Sequence, residues 1–271
     1  MNATLKSNHQ WRVPLRFLLL GTLLSISATA SYASIITNGM FQLSGTIFVT
    51  GAGPNPVVTP AGTCAAMVQC IFFADEAGTA NFGDISTFGL PSGVPPNNIP
   101  LSIAGPGNAT MAPLLQPPSI PPNISPAVAF MGFVNPVGLT TVLMLNTFPL
   151  GINGTSGCPP GPPPAAGQVC TPPGSVFNLQ NLTATSSIVS FSMSGVSADK
   201  TANWTGTFSS QFAAVPYQTV LANLASNGFV FNTYSAQITL SPVPEPGSLS
   251  FLLLGSGMIA SATLLRRLSR R

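Results

Sequence analysis

The sequence predicts a mainly β domain that folds as an antiparallel β-sandwich with one short helix. Apolar residues alternate with Ser, Thr and Gln along several segments, and these segments recur at spacings of roughly 8 to 12 residues, which is typical of such folds. Proline and glycine, 28 and 26 of the 271 residues, separate the segments. No regular alternation of strands with helices indicates a parallel sheet, so a doubly wound fold is disfavoured.

The strands can be placed in chain order from this alternation. In residues 40–50, Phe41, Leu43 and Ile47 fall on one side of an extended chain, with polar residues on the other. Phe48 breaks the pattern. Further strands are expected at 70–74, 79–85, 99–103, 127–134, 139–148, 176–182, 188–196, 202–212 and 229–240.

The segments between these strands also carry predictions. Residues 75–78 read as a hairpin turn, and residues 135–138 join the next apolar pair. Residues 51–63 are rich in glycine and proline and read as a loop. From 91 to 126 prolines recur every few residues, so only short edge strands are expected there.

One segment has helical rather than strand periodicity. Apolar residues stand at i, i+3, i+4 and i+7, namely Tyr217, Val220, Leu221 and Leu224. Pro216 suits the first helical position and Gly228 the position beyond the end. A short helix is therefore predicted just before the last strand.

The N-terminus has the pattern of a secretory signal peptide. Three basic residues, Lys6, Arg12 and Arg16, precede an apolar run at 17–24. Small residues follow, and two small-x-small sites end at Ala30 and Ala33. Cleavage after Ala33 is favoured, so that residues 1–33 form the leader and 34–240 the exported β-rich domain with Pro/Gly-rich loops.

The C-terminal residues 241–271 have three consecutive parts. A stiff, extended segment comes first, made of Val243, Pro244, Glu245 and Pro246. Residues 248–265 then carry no charge, and as a helix they would span about 27 Å, close to the hydrocarbon core of a bilayer. The chain ends in a basic cluster at 266–271, formed by Arg266, Arg267, Arg270 and Arg271. A single transmembrane helix with a cytoplasmic C-terminus is predicted.

This order of a Pro-Glu-Pro step, a Gly/Ser step, one hydrophobic span and a terminal arginine cluster resembles the PEP-CTERM sorting signal of bacterial exported proteins. The resemblance covers about thirty residues, from Val243 onward. It implies recognition by an exosortase, a membrane-embedded transpeptidase-like enzyme, and passage through a single-pass membrane intermediate to the cell surface or medium. It also implies association with extracellular polysaccharide or matrix, as a structural or interaction protein.

The charges of the middle region exclude one class of partner. Between residues 34 and 245 one lysine stands against five carboxylates, a formal net charge of −4, although the whole chain is +3. These charges are Asp75, Glu76, Asp84, Asp199, Lys200 and Glu245. No basic patch can neutralise phosphates, so nucleic acid is not an expected partner. A surface made of Ser, Thr, Asn and Gln instead suits glycan or matrix contact.

The four cysteines are predicted to form two local disulfides. Cys64 and Cys70 bracket a five-residue segment at the end of one Gly/Pro-rich stretch, and Cys158 and Cys170 bracket a second Gly/Pro-rich segment, 159–169. An even number of cysteines in an exported chain favours disulfides, although sequence alone allows three connectivities. A zinc site is disfavoured because the only histidine, His9, lies in the leader.

No catalytic, cofactor or metal residue is assigned, and the chain is not expected to be an enzyme. Without histidine or arginine in the middle region, triad chemistry and phosphate clamps are absent there. Two alternatives remain: a carbohydrate-binding module that stacks sugars on Trp204 or other aromatic residues, and a glycoside hydrolase that uses Glu76 and Asp84. For Trp204 itself a core position is favoured, because it is in phase with Phe208 and Phe212. Asp75, with these two carboxylates, is also a weak calcium candidate, although a hairpin-turn role is favoured.

Overall fold

The computed structural model describes residues 38–86, 103–116, 123–134, 141–159 and 163–243. The strands are β1 Gly39–Thr50, β2 Val57–Thr59, β3 Gly62–Cys64, β4 Gln69–Ala74, β5 Phe82–Ser86, β6 Gly105–Met111, β7 Leu114–Gln116, β8 Asn123–Phe133, β9 Leu143–Thr147, β10 Val169–Cys170, β11 Asn178–Asn181, β12 Ser187–Ser197, β13 Ala202–Phe212 and β14 Phe229–Pro242. Helix α1, Tyr217–Asn227, connects β13 to β14.

Eight antiparallel strands close into a barrel. Following the sheet from β12, the order is β12-β13-β14-β1-β5-β6-β8-β9, and β9 pairs back onto β12. Ser197 pairs with Leu143 and Val196 with Met144 at this closure. Strands β10 and β11 extend the sheet beyond β12, and β4 and β7 form a flap beside β1.

The predicted sandwich is therefore wrong, although the mainly β class and the antiparallel pairing are confirmed. Along a single strand, a sandwich and a barrel give the same alternation of one buried and one exposed face. What distinguishes them is the β9–β12 pairing, which joins segments that the sequence pattern does not relate to each other. A β-bulge lies at this junction, between Ser194 and Gly195. A bulge of this kind bends a strand and helps a sheet to turn.

Aromatic side chains fill the barrel interior. Phe208 stacks on Phe191 with ring centroids 4.9 Å apart, and Phe73 contacts both Phe208 and Tyr234 at 5.8 and 5.7 Å. These rings are almost fully buried, together with Phe41. An eight-stranded barrel has room inside for its own side chains or for one small ligand, and here side chains occupy the centre.

Strands β4 and β5 do not form the predicted hairpin. Both pair with β1, β4 along 46–49 and β5 along 42–44, so together they act as one strand interrupted by residues 75–83. The two segments connect directly only beside the turn, through the Ala74–Ala80 bridge and the backbone hydrogen bonds from Asn81 to Phe73 and from Asp75 to Thr79. Gly45 of β1 faces the interruption at a φ of +154°, where a β-carbon would overlap the carbonyl oxygen of Ala74. One edge of β1 therefore pairs with both segments, and residues 75–83 leave this pairing between them.

Most other elements match the predictions, with clear exceptions. Strands β1, β8, β9 and β11 to β14 and helix α1 fall where the periodicity placed them. The predicted loop 51–63 instead contains β2 and most of β3. In the proline-rich segment, where only short edge strands were expected, β7 is short but β6 is a seven-residue strand that pairs with both β5 and β8. These four strands are short or rich in glycine, so they lack the alternation of apolar and polar residues that predicts a strand. Of the predicted strand 99–103, only Ile103 is described, and it is buried.

Both predicted disulfides are present, and each fastens an excursion to the outside of the barrel. Cys64 and Cys70, with Cα atoms 5.8 Å apart, lie in a small buried cluster with Phe48 and Phe72. Phe48 breaks the alternation of β1 because it points out of the barrel into this cluster. The second disulfide, between Cys158 and Cys170, packs beside Tyr217 of helix α1.

Candidate functional site

The three candidate carboxylates hold the loop that splits β4 from β5. Asp84 accepts hydrogen bonds on both oxygens, from the backbone N–H of Glu76 at 2.9 Å and of Gly107 at 2.6 Å. Asp75 is buried and accepts from the N–H of Thr79 at 2.6 Å. The Asp84 carboxylate thus closes the base of the loop, and Asp75 shapes its turn.

This arrangement fits the turn role better than catalysis. The Asp84 oxygens that would act on a substrate already bind backbone donors, and the Glu76 carboxylate accepts from the Ser44 hydroxyl at 3.0 Å. Within the described ranges, no cluster of His, Cys, Asp and Glu is arranged to hold a metal ion.

Tyr234 lies close to these carboxylates on the inner side of the wall. Burial raises its pKa, and the negative charges of Asp84 and Asp75 add to the shift. Its hydroxyl donates to the sulfur of Met111 at 3.2 Å. The phenol is therefore protonated at neutral pH and belongs to the core.

Trp204, the predicted alternative sugar platform, is a core residue. Its side chain is 1% exposed and stacks on Phe130 with centroids 5.7 Å apart and planes 12° from parallel. The indole N–H donates to the carbonyl of Met144 at 2.9 Å. Both faces of the ring are enclosed, so no sugar can stack on it.

The outer surface of four neighbouring barrel strands carries a field of uncharged polar side chains. The pairing of β12, β13, β14 and β1 aligns them in rows that cross the strands. One row is Ser190, Ser209, Ser235 and Ser44, and the next is Ser192, Thr207, Gln237 and Gln42. Ser194, Thr205 and Thr239 make a third. These eleven residues are called the polar face below.

The polar face has a regular geometry. Neighbouring strands lie about 4.8 Å apart, and alternate residues of one strand about 6.7 Å apart, so hydroxyl and amide groups stand on a near-rectangular grid. Thr207 and Gln237 at its centre are exposed. No member is charged, although at the edge Ser44 donates to the Glu76 carboxylate and pairs across strands with Asp84.

The sequence contained the polar residues but not their alignment. Alternating serines in 188–196 and threonines in 202–212 were visible as the exposed sides of strands. Which strands lie next to each other, and in what register, depends on long-range pairing. The face as a continuous surface could therefore be found only in the structure.

Of the predicted sorting residues, only Val243 is described, and its N–H donates to the carbonyl of Thr201 at 2.9 Å. Pro244, Glu245, Pro246, the proposed transmembrane segment 248–265 and the arginine cluster lie outside the described residues, as does the predicted leader 1–33. In the ranges that the structure covers, none of the helical segments has the length and apolarity needed to cross a bilayer.

Residues 242–271 match the family model of the PEP-CTERM protein-sorting motif. The chain ends in a PEP-CTERM motif. This confirms the resemblance, which began at Val243, and the motif implies export, a membrane-anchored intermediate and processing by an exosortase. No curated protein and no solved structure matches the chain.

The PEP-CTERM match begins where the barrel ends. Pro242, its first residue, is also the last residue of β14 and pairs with Ala202 of β13. The sorting motif is thus attached directly to a barrel strand.

Proposed function

We propose that this PEP-CTERM protein is a non-enzymatic protein of the cell surface or extracellular matrix, and that its polar face binds neutral, hydroxyl-rich polysaccharide. The single observation that carries the proposal is the alignment of Ser, Thr and Gln side chains in rows across four strands. The sorting motif supports the location, because it directs the domain out of the cell.

The chemistry of the face suits such a partner. Hydroxyl and amide groups both donate and accept hydrogen bonds, as sugar hydroxyls do. Within the described part of the chain, one lysine and four carboxylates are the only charged side chains. An extended polymer can make many weak contacts along a regular grid without a deep pocket.

The two alternatives receive less support from the same geometry. A binding module centred on Trp204 lacks an accessible ring, because that side chain is enclosed in the core. A hydrolase centred on Glu76 and Asp84 would have to free carboxylate oxygens that hold the backbone of a loop.

The test is a binding assay with the host's own matrix polysaccharide and a substituted face. Thr207, Gln237 and Thr239 are exposed, and a triple change to valine removes their hydrogen-bonding groups while keeping residues that favour strands. We expect binding of the full chain to the polysaccharide to fall by about tenfold or more.

A matched control makes the same kind of substitution at positions outside the polar face. Thr63→Val on β3 together with Thr110→Val on β6 alters exposed strand positions outside the polar face. This control should bind like the unchanged chain. Equal binding by the face variant and the control would show that the face is not the contact surface.

A further inference from the structure

A second site lies at one end of the barrel and shares one residue, Ser209, with the polar face. We propose that this end holds a binding site for a small, uncharged, largely hydrocarbon ligand. The site is a cavity of about 520 Å³, inside the range of about 300 to 1,000 Å³ that is usual for small-molecule sites. The mouths of barrels are a common place for such sites.

Strand ends and core residues form the floor and walls of the cavity. It lies where β1 ends, β14 begins, β13 ends and β12 begins, and the inward-facing Ile47, Phe191 and Tyr234 line its deep side. Val49 and Val189 line it nearer the surface and are only half-buried. The cavity therefore reaches solvent and is continuous with the packed interior below.

Helix α1 forms one wall and is fixed at both ends. Val220, Leu221 and Leu224 turn their side chains to the cavity. At the helix start, the Tyr217 hydroxyl donates to the carbonyl of Gly157 at 2.6 Å, and its backbone N–H donates to the Asn181 side chain at 3.0 Å.

The other end of the helix is held by glycine. Gly228 takes the left-handed conformation at φ 78°, and its N–H donates to Leu224 at 3.1 Å. The carbonyl of Gly228 accepts from the N–H of Gly51 at 2.8 Å. The wall is thus tied to β1 as well as to the disulfide-linked loop, so the cavity is formed before a ligand arrives.

Polar groups in the lining are mostly engaged within the protein. The Ser210 hydroxyl donates to Thr233, the Asn232 amide to Gln211, and the Tyr234 hydroxyl to the sulfur of Met111. A ligand therefore meets an apolar surface with few groups that would orient a polar head.

The charge of the lining decides the class of ligand. None of the residues that line the cavity is ionisable at neutral pH. Lys200, the only cation among the described residues, lies in the β12–β13 turn at the opposite end of the barrel. A carboxylate or phosphate group drawn inside the cavity would lose its hydration without a charge partner, which is strongly unfavourable. Neutral apolar molecules can fill the cavity without burying a charge and are therefore the favoured ligands.

Two fluorescent probes that differ by one charge test this inference. N-phenyl-1-naphthylamine is neutral, and 8-anilinonaphthalene-1-sulfonate has the same ring system with a sulfonate added. We expect the full chain, kept in solution by an uncharged amphipathic polymer, to bind the neutral probe saturably at one site. The sulfonate should bind at least about tenfold more weakly.

Three variants tie this binding to the cavity. Val49→Phe fills the cavity and should weaken binding of the neutral probe by about tenfold or more. Val58→Phe makes the same change at an exposed position of β2 and should leave binding of the probe unchanged. Leu224→Lys places a cation at the wall and should raise the affinity of the sulfonate at one saturable site. Because misfolded states with exposed apolar surface also bind this probe, the gain is measured in protein whose circular dichroism matches that of the unchanged chain.

Several results would overturn the inference. They are the absence of saturable binding of the neutral probe, equal binding in Val49→Phe and Val58→Phe, preference of the unchanged chain for the sulfonate, and no gain in Leu224→Lys. The absence of a gain in Leu224→Lys is judged on protein whose circular dichroism spectrum matches that of the unchanged chain.

Discussion

At the scale of single residues, a few side chains fix backbone that has no strand partner. Asp84 is the main example, because its two oxygens accept from the N–H of Glu76 in the loop after β4 and from the N–H of Gly107 in β6, and so tie both to β5. A half-buried carboxylate in this position behaves as part of the backbone framework.

Asp84→Ala should lower the free energy of unfolding by about 3 kcal/mol, since hydrogen bonds to a charged group are worth about 1.5 to 3 kcal/mol each. Glu76→Ala is the matched control, because that carboxylate is exposed and accepts only from Ser44. The control should cost less than about 1 kcal/mol. Chemical denaturation of both variants measures the difference, and equal losses would contradict the assigned role of Asp84.

Buried phenols make stability sensitive to alkali. Burial raises the pKa of Tyr234, with a contribution from Asp84 and Asp75, and burial also raises the pKa of Tyr217. Below the ordinary tyrosine pKa of about 10, these phenols are protonated in both the folded and the unfolded chain, so they do not change the free energy of unfolding. Above it, the unfolded chain loses protons that the folded chain keeps, so stability falls as pH rises.

Tyr234 should lower the unfolding free energy by about 1.4 kcal/mol per pH unit above 10, and Tyr217 should add to this slope until its pKa in the folded protein is reached. Tyr234→Phe keeps the ring and should remove its share of that slope, leaving the share of Tyr217. Denaturant titrations at several alkaline pH values check this. An unchanged slope in Tyr234→Phe would mean that its phenol ionises in the folded protein as it does in water.

At the scale of elements, the disulfides secure segments that lack a core of their own. Their sequence separations are 6 and 12, a factor of two. Loop-closure entropy changes by only about 0.6 kcal/mol for each doubling of loop length. The longer bridge also lies against Tyr217 at the start of helix α1, so its removal affects the wall of the cavity as well.

Replacing Cys158 and Cys170 by alanine should therefore destabilise the protein more than replacing Cys64 and Cys70, by at least about 0.6 kcal/mol. The paired alanine variants are controls for each other, because each removes one bridge and two sulfurs. Thermal unfolding under oxidising conditions measures the order. The reverse order would indicate that native-state packing, rather than loop length, sets the contribution of each bridge.

Individual elements were largely predictable, whereas their arrangement was not. Residues 202–212 alternate so regularly that the predicted strand has the observed bounds. Gly228 correctly marks the end of helix α1, whereas Pro216, predicted at the first helical position, is the extended N-cap residue and the helix begins at Tyr217. The strands on either side of the turn at 75–78 do not pair with each other along their length, because both pair with β1 instead. Barrel closure and the alignment of the polar face depend on the register between distant segments, which alternation within one strand does not contain.

The cavity illustrates the same limit at the level of a site. Val220, Leu221 and Leu224 were identified as an apolar helical face, but their partners were not. Only the fold shows that this face borders a space at the barrel end rather than a filled core.

At the scale of the whole molecule, the barrel and the sorting motif are separate parts of one chain with a shared boundary. In a host that lacks the exosortase, we expect the chain to keep its C-terminal residues and to remain in the membrane fraction, because the motif is not processed. Mass spectrometry of membrane, surface and secreted fractions measures the fate of residues 243–271. Glu76→Ala, which leaves the motif intact, should be processed normally in the unmodified host.

Unchanged release from the strain without exosortase would contradict sorting by that enzyme. Altered processing of Glu245→Ala together with normal processing of Glu76→Ala would further assign the recognition to the motif itself.

Strand β14 runs from the cavity at its first residues to the sorting motif at its last, and Gly39 at the beginning of β1 pairs beside Leu240. The first residues of β1 and the last residues of β14 therefore lie at the same end of the barrel, and the cavity lies at the opposite end. The Val243 N–H still donates to the carbonyl of Thr201, so the described chain stays bonded to β13 up to the residue before Pro244. Cleavage after Val243 would therefore remove no barrel strand, and the released domain would keep both the polar face and the cavity.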